Sequence, residues 1–202
     1  MAGTRERIAA TTNELFRRRG YHGTSLKDVV SGAEATTGSL YHFFPDGKVG
    51  LAEAVLVESG AAYQQLFESI YDQAGSPVEA VRAFFDGAAD VLEQTDFIDI
   101  CPIGTVALEV ASSEERLRLA TAQVFASWSD SLRSRLVDAG VAEGDADELA
   151  TTLIATLEGS FMLARARRDA DVVRVAGSRI VVLVDAVMPR RPVSRSRRSA
   201  RP

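Results

Sequence analysis

The sequence is poor in the residues that metal and nucleophilic chemistry most often require. Its 202 residues include one cysteine, Cys101, and two histidines, His22 and His42. One cysteine excludes an internal disulfide framework and any cysteine-rich zinc site, and two histidines leave little for a histidine-based metal site. The chain also lacks a Gly-rich phosphate loop and a Glu-x-x-His motif. We therefore expect no cofactor, no metal site and no enzymatic activity.

Long apolar runs are also missing. No stretch reaches the roughly 18 consecutive apolar residues that a membrane span needs, and the N-terminus leads into an amphipathic segment instead of a continuous apolar core. We therefore expect no membrane partner and no secretory signal, and the single cysteine favours a reducing, cytoplasmic compartment. Apolar residues make up 46% of the chain and charged residues 25%, which indicates a globular protein.

Charge is distributed unevenly. Residues 1–50 carry seven basic and five acidic groups, residues 51–188 carry ten arginines and 23 acidic groups, and residues 189–202 carry six arginines and no acidic group. The last segment has too little apolar surface to offset the entropy of ordering, so we expect a disordered basic tail. That tail serves either as a weak electrostatic contact to DNA or only to increase solubility.

Helical periodicity dominates the sequence. Apolar residues recur at spacings of three and four between a few Gly and Pro clusters, and no alternating run is bounded by hairpin turns. This predicts an all-α fold of about nine helices, with Asp46 and Asp145 as caps of the fourth and eighth. The predicted helices cover residues 4–19, 26–32, a short segment with Leu40 and Phe43, 47–72, 77–94, 102–112, 113–139, 145–168 and 171–187.

Residues 24–48 have the pattern of a helix-turn-helix motif. Two short helices flank a tight turn at Gly32, and the second helix begins with small polar residues. In this motif the second helix enters the DNA major groove, with its first residues on base edges. Any two helices that meet at a glycine share this appearance, so the geometry alone leaves a plain structural corner open.

A longer string of residues makes the interpretation more specific. Residues 20–30, residues 38–45, Lys48 and Leu51 resemble the tetracycline-repressor (TetR) family of transcriptional regulators. The spacing between Pro45 and Lys48 is one residue longer than is usual in that family. This longer spacing, together with residues 101–104 and 107–109, resembles the LmrA/YxaF-like branch of the family. The resemblance implies a three-helix DNA-binding head (residues 1–48) and a helical ligand-binding and dimerisation body (49–188), which the basic tail inferred from composition (189–202) follows.

The resemblance also implies roles for individual residues in the head. Phosphate contacts, which supply affinity, fall to Thr24, Lys27, Tyr41, His42 and Lys48, and base contacts, which supply sequence choice, fall to Thr36, Thr37 and Ser39. Two alternatives remain open at this stage. Tyr41 either contacts phosphate or packs against the first helix, and His42 either contacts phosphate or lies at a solvated helix end.

The body contains more large side chains than helices that pack only in pairs would bury between them. They either form plain core or line a cavity for an apolar effector of unknown identity. The candidate ligand-binding residues are Phe67, Phe84, Cys101, Phe125, Trp128, Phe161 and Met162. Glu109 and Glu158 are either polar anchors for that ligand or surface acids. A redox-sensing role for Cys101 is disfavoured by the nearby Asp96, since reactive thiols need electropositive surroundings.

The eighth and ninth predicted helices are candidates for a homodimer interface. On the ninth helix, Val172, Val175, Ile180, Leu183 and Val187 are spaced for one face, and on the eighth helix Leu149, Leu153, Ile154 and Leu157 are apolar. Two copies would form a four-helix interface, whereas internal packing within one subunit is the alternative. A dimer is expected because one short recognition helix reads few base pairs.

Together these observations predict a ligand-responsive repressor that binds a palindromic or pseudo-palindromic operator in double-stranded DNA as a homodimer. A small-molecule effector would release it. The alternatives are a helical small-molecule-binding protein or enzyme that keeps a vestigial helix-turn-helix, and a transcriptional activator of the same fold.

Overall fold

A computed structural model describes residues 3–98 and 100–189. Apart from Pro189, the tail for which disorder is predicted lies outside these ranges. The predicted all-α fold is confirmed. The described residues form nine helices and no strand: α1 (Thr4–Arg19), α2 (Leu26–Gly32), α3 (Thr37–Phe43), α4 (Gly47–Gln73), α5 (Pro77–Gln94), α6 (Pro102–Val110), α7 (Glu115–Asp138), α8 (Glu143–Arg167) and α9 (Asp171–Val187). Within those two ranges, no helix combines the length and the apolar character needed to cross a membrane.

Several helix ends follow directly from the local sequence. Ser25 and Asp28 form a capping box at the start of α2, as the sequence predicts. Ser76 accepts a hydrogen bond from the Glu79 backbone N–H, and Pro77 occupies the first turn of α5. At the end of α1 the chain adopts φ +71° at Gly20, a conformation that side chains rarely tolerate.

One predicted side-chain cap and several predicted boundaries were wrong. The Asp46 side chain does not cap α4, because its carboxylate instead pairs with Arg116 of α7 at 2.8 Å. Helix α8 begins at Glu143, two residues before the predicted cap Asp145, and no side chain caps it. Helix α6 ends at Val110, short of the predicted residue 112.

The head and the body share an apolar core. Ile8 and Phe16 of α1 and Leu40 of α3 belong to one buried cluster with Ile103 of α6 and Leu117 of α7. Helix α4 runs through residue 48 without a break, so it belongs to both regions. Because these side chains bury one another across the predicted boundary, the head and the body share one apolar core.

A second buried cluster lies within the body. It joins α5, α7, α8 and α9 through side chains that include Phe85, Leu92, Leu153 and Ile180. Gly177 lets α9 approach α5 closely, since a Cβ there would lie 2.5 Å from the Cβ of Phe85.

The α9 residues expected to share one face are divided between the core and the surface, with Ile180 in the core. The buried positions are Val173, Gly177, Ile180, Val181 and Val184, whereas the predicted Val175 and Leu183 are exposed. Leu149, Leu153 and Leu157 of α8 are buried within the subunit. The internal-packing alternative therefore holds for these α8 residues, and a dimer interface would have to use other side chains.

Candidate functional sites

Helix α3 presents the first of two candidate sites. Its N-terminal end is fixed by Thr36, whose hydroxyl oxygen accepts a hydrogen bond from the Ser39 backbone N–H at 3.0 Å. Leu40 is fully buried and anchors the other side of the helix. Thr36, Thr37 and Gly38 are exposed, while Ser39 is half-buried. The small, uncharged surface at the start of α3 therefore faces outward and allows another macromolecule to approach closely.

Three predicted phosphate-binding residues surround this surface and are exposed. They are Lys27 of α2 and Tyr41 and His42 of α3. Tyr41 is 48% exposed, so it is not packed into the core as the structural alternative required. Its ring edge lies beside Gly47, at the start of α4.

Thr24 is placed differently from the prediction. Its side chain is 2% exposed, and its hydroxyl donates a hydrogen bond to the Gly20 carbonyl at 2.8 Å. This arrangement ties the turn between α1 and α2 together. The buried hydroxyl is out of reach of a phosphate in this conformation. The prediction overlooked the Gly20 carbonyl, which lies four residues earlier and accepts the hydrogen bond of this hydroxyl.

Lys48 lies at the start of α4, half-buried over an aromatic ring. Its Nζ is 4.2 Å from the ring centroid of Tyr21, which is a cation–π geometry. Burial lowers the pKa of Lys48, and the nearby Glu109 carboxylate acts in the opposite direction. The ammonium group is therefore held near the first turn of α4 by Tyr21 and Glu109.

Glu109 has a role that neither sequence alternative described. Its carboxylate accepts a hydrogen bond from the His22 backbone N–H at 2.7 Å, so α6 of the body holds the turn between α1 and α2. The contact depends on Gly20, because a Cβ at that position would collide with the carboxylate. The spacing along α6 could not reveal this contact, since its partner is a backbone group 87 residues away.

The second candidate site is a cavity of about 400 Å³ inside the body. It lies between α4, α5, α7 and α8, and its walls are almost entirely apolar. Its size falls in the range of small-molecule sites in proteins. Among the predicted ligand-binding residues, those that line it are Phe67, Phe84, Cys101, Trp128 and Phe161.

Two predicted ligand-binding residues do not line the cavity. Met162 is 59% exposed on the outer side of α8. Phe125 packs on the far side of Trp128, with ring centroids 5.5 Å apart, against the core shared with the head. Both predictions rested on residue type, whereas the position around the helix decides which side chains reach the cavity.

One end of the cavity carries a buried acid beside a thiol. Glu158 of α8 lines the cavity, and burial raises its pKa to about 7. The thiol of Cys101, at the start of α6, donates a hydrogen bond to this carboxylate. The other carboxylate oxygen, Oε1, is buried and has no hydrogen-bond partner among the described residues. Burial also raises the pKa of Cys101 well above its usual value, which disfavours a reactive thiolate.

Sequence reasoning missed four polar residues of the cavity wall, which are Arg17, Tyr63, Gln64 and Ser131. Arg17 reaches it from α1 of the head, and Gln64 lines it from α4. Glu158, in contrast, was already a candidate anchor for the ligand in the sequence. It follows Ile154 by four residues and precedes Phe161 by three, so these side chains share one face of the helix. Nothing in the local sequence of α1 indicates that Arg17 contacts a cavity in the body.

Comparison with known proteins agrees with this architecture. Residues 8–55 match the family of bacterial regulatory proteins of the tetR family, and residues 77–179 match the C-terminal domain of LmrA/YxaF-like transcriptional regulators. The HTH-type transcriptional regulator YxaF of Bacillus subtilis is 35% identical over 181 residues, covering 90% of this chain and 95% of that protein.

Solved structures share the fold. The regulatory protein TetR from Rhodobacter sphaeroides superposes with a TM-score of 0.80 at 19% identity, covering 88% of this chain and 97% of that one. A cysteine mutant of the TetR-family regulator CifR, complexed with 26-base-pair operator DNA, superposes with a TM-score of 0.74 at 24% identity, covering 87% and 94%. The chain studied here belongs to the TetR family of bacterial transcriptional regulators, with an LmrA/YxaF-like C-terminal domain.

Proposed function

We propose that this regulator is a repressor that binds a pseudo-palindromic operator as a homodimer and releases it when a small molecule fills the body cavity. The proposal rests on one main observation, which is that two helices of the chain connect the two candidate sites. The exposed start of α3 and the cavity are connected through α4 and α6, which contact both regions.

The DNA-binding part of the proposal rests on the shape and chemistry of α3. Thr37 and Gly38 are exposed and small, so the helix can lie deep in a major groove about 12 Å wide. Thr36 and Ser39, whose hydroxyl oxygens lie 2.9 Å apart, would present hydroxyl groups to base edges, and we assign phosphate contacts to Lys27, Tyr41 and His42. The related CifR structure contains operator DNA, which supports a DNA complex for this fold.

The homodimer would use the outer faces of α8 and α9. Five apolar side chains there are between 44% and 59% exposed: Met162, Leu163, Val175, Val182 and Leu183. Apolar side chains clustered on two adjacent helices favour burial against a second copy. Val175 and Leu183 are among the residues expected from the sequence, whereas Met162, Leu163 and Val182 are not, and the two helices are the expected ones.

Helix α6 offers a physical route between the sites. Its first residues adjoin Cys101 at the cavity, and its last turn holds the head through Glu109 and the His22 backbone. Helix α4 provides a parallel route, because Lys48 begins it and Tyr63 and Phe67 line the cavity further along. A ligand that favours a displaced α4 or α6 would change the spacing of the two heads and thereby lower operator affinity.

Fluorescence anisotropy tests the DNA-binding step. We expect the full chain to bind a labelled duplex from the region preceding its own coding sequence, saturably and with an affinity that falls as salt rises. The Thr37→Ala variant should bind that duplex more weakly, whereas Thr152→Ala, the same change at an exposed site on α8, should not. Absent binding, or binding that is insensitive to salt, would instead favour a small-molecule-binding protein with a vestigial helix-turn-helix.

A further inference from the structure

The cavity has a strongly asymmetric chemistry. Most of its wall is apolar, and five aromatic side chains contribute to it: Tyr63, Phe67, Phe84, Trp128 and Phe161. A buried carboxyl group, Glu158, occupies one part of this wall. Aromatic ring faces and a carboxylate share one preference, because both attract positive charge.

Glu158 has unused binding capacity. Its Oε1 is buried without a hydrogen-bond partner among the described residues. Its neighbours are the Cys101 thiol, which donates one hydrogen bond, and Gly104 of α6, where a Cβ would collide with the carboxylate. The absence of a side chain at position 104 makes room for the acid at this end of the cavity.

Among the described residues of the cavity wall, three other side chains are ionisable, and neither an ion pair nor a cationic hydrogen-bond donor is found for Glu158. These three side chains are Cys101, Tyr63 of α4 and Arg17 of α1. The Cys101 thiol and the Tyr63 phenol cannot carry a positive charge in any protonation state. Arg17 and Tyr63 already make interactions of their own. No positive group acts on Glu158 strongly enough to lower its pKa, whose rise to about 7 comes from burial.

We propose that the effector of this regulator is a hydrophobic monocation, a flat or compact apolar body that carries one positive charge against Glu158. The inference rests on the proposed function and adds the chemical class of the ligand. The positive charge of the ligand supplies the countercharge that Glu158 lacks. The aromatic wall contacts the apolar body and, through cation–π interactions, stabilises the charge that faces it. Because only the ionised acid pairs with a permanent cation, binding requires Glu158 to lose its proton.

A set of four bicyclic probes of nearly equal shape tests this class. N-methylquinolinium is a permanent cation, 1-methylnaphthalene is its neutral isostere, 1-naphthol is a neutral hydrogen-bond donor and 1-naphthoate is an anion. Trp128 is the single tryptophan of the chain and lines the cavity, so quenching of its fluorescence reports binding. We expect N-methylquinolinium to bind at least about tenfold more tightly than 1-methylnaphthalene.

Two variants on α8 separate charge from shape. Glu158→Gln keeps the size of the side chain but removes the charge, and it should abolish the preference for N-methylquinolinium while leaving the affinity for 1-methylnaphthalene unchanged. That unchanged affinity also shows that the variant folds and keeps its cavity. Glu148→Gln, the same change at an exposed position of α8, should retain the preference of the original chain.

The pH dependence gives an independent readout. Affinity for N-methylquinolinium should rise by up to about tenfold per pH unit below the pKa of Glu158 and level off above it, and calorimetry in two buffers should show proton release. Equal or tighter binding of 1-methylnaphthalene, 1-naphthol or 1-naphthoate would overturn the inference. So would a preference for the cation that persists in Glu158→Gln.

Anisotropy with the operator duplex keeps the two proposals distinguishable. Release of the duplex by N-methylquinolinium, but not by 1-methylnaphthalene at equal occupancy, supports both. Release by the neutral probes at equal occupancy overturns the cationic class and leaves the repressor proposal standing. Occupancy of the cavity by the cation without any change in duplex affinity contradicts the coupling in the repressor proposal, and with it the effector role.

Discussion

The head and the body place their candidate sites in opposite environments. The head presents the start of α3 on the outside, with exposed and uncharged Thr37 and Gly38. The body places its site in a partly open cavity between four helices, and Glu158 and aromatic side chains line its wall. An outward site depends on a short stretch of local sequence, whereas a cavity depends on where several distant helices leave space. This difference explains which residues could be predicted and which could not.

The largest expected effect tests whether the two regions fold together. Phe16→Ala in the head and Phe85→Ala in the body each remove a side chain that is 1% exposed, so each should cost about 3–5 kcal/mol of unfolding free energy. Because Phe16 belongs to a cluster that includes Ile103 and Leu117, urea unfolding of either variant should remain a single transition. A separate early transition in Phe16→Ala, followed by circular dichroism and Trp128 fluorescence, would show that the head is an independent unit.

A smaller effect should distinguish the buried acid of the body from exposed acids. The pKa of Glu158 is about 7 in the folded chain and about 4.3 when unfolded, so between these values the folded state keeps a proton that the unfolded state has lost. Its contribution to stability therefore declines as pH rises through this window and is constant above it.

Glu158→Gln lacks this titration. Relative to the original chain, the variant should gain about 1–3 kcal/mol of unfolding free energy between pH 5 and pH 8, measured by urea denaturation at each pH. Glu148→Gln, at an exposed position, should show no such change. A pH-independent difference for Glu158→Gln would mean that this carboxyl group is solvated in the folded protein.

Within the head, base and phosphate contacts should separate. Thr37→Ala should weaken binding of the operator duplex by about 1 kcal/mol and leave binding of a scrambled duplex unchanged. Lys27→Ala should weaken both duplexes alike and reduce the slope of log affinity against log salt by about 1. If both variants behave identically on both duplexes, the start of α3 does not read sequence.

The smallest effect concerns two surface ion pairs of one arginine, of which one joins the body to the head. Arg116 of α7 pairs with Asp46 at 2.8 Å and with Glu53 of α4 at 2.5 Å. These side chains are solvated, so Arg116→Gln should change the unfolding free energy by no more than the error of a urea titration. A clear loss that disappears in high salt would show that charge, in addition to the apolar core, fastens the head to the body.

Local chemistry made much of the fold predictable. The bounds of α1, α5 and α9 follow the sequence prediction, and the capping box at Ser25 lies where it was expected. The errors arose from distant partners. Asp46 does not cap α4 because Arg116, 70 residues away, binds its carboxylate. The face of α9 was misjudged because Gly177, without a side chain, is the position that packs closest to α5.

The candidate sites divide in the same way. Thr37 and Tyr41 were predicted from their places in a short motif, and both are exposed as a DNA contact requires. Phe125 and Met162 were predicted as cavity residues from their size alone, and neither lines the cavity. Glu109 and Arg17 connect the regions through contacts that no local spacing indicates.

Hydroxyl-radical footprinting of the full chain on the DNA that precedes its own coding sequence tests the central claim most directly. Two copies of α3 on a homodimer should protect two equivalent patches, related by a two-fold axis and separated by about one helical turn, or a multiple of it. Thr37→Ala should lose both patches together at a concentration where Thr152→Ala keeps them. A single unsymmetric patch, or protection unchanged in Thr37→Ala, would contradict the account.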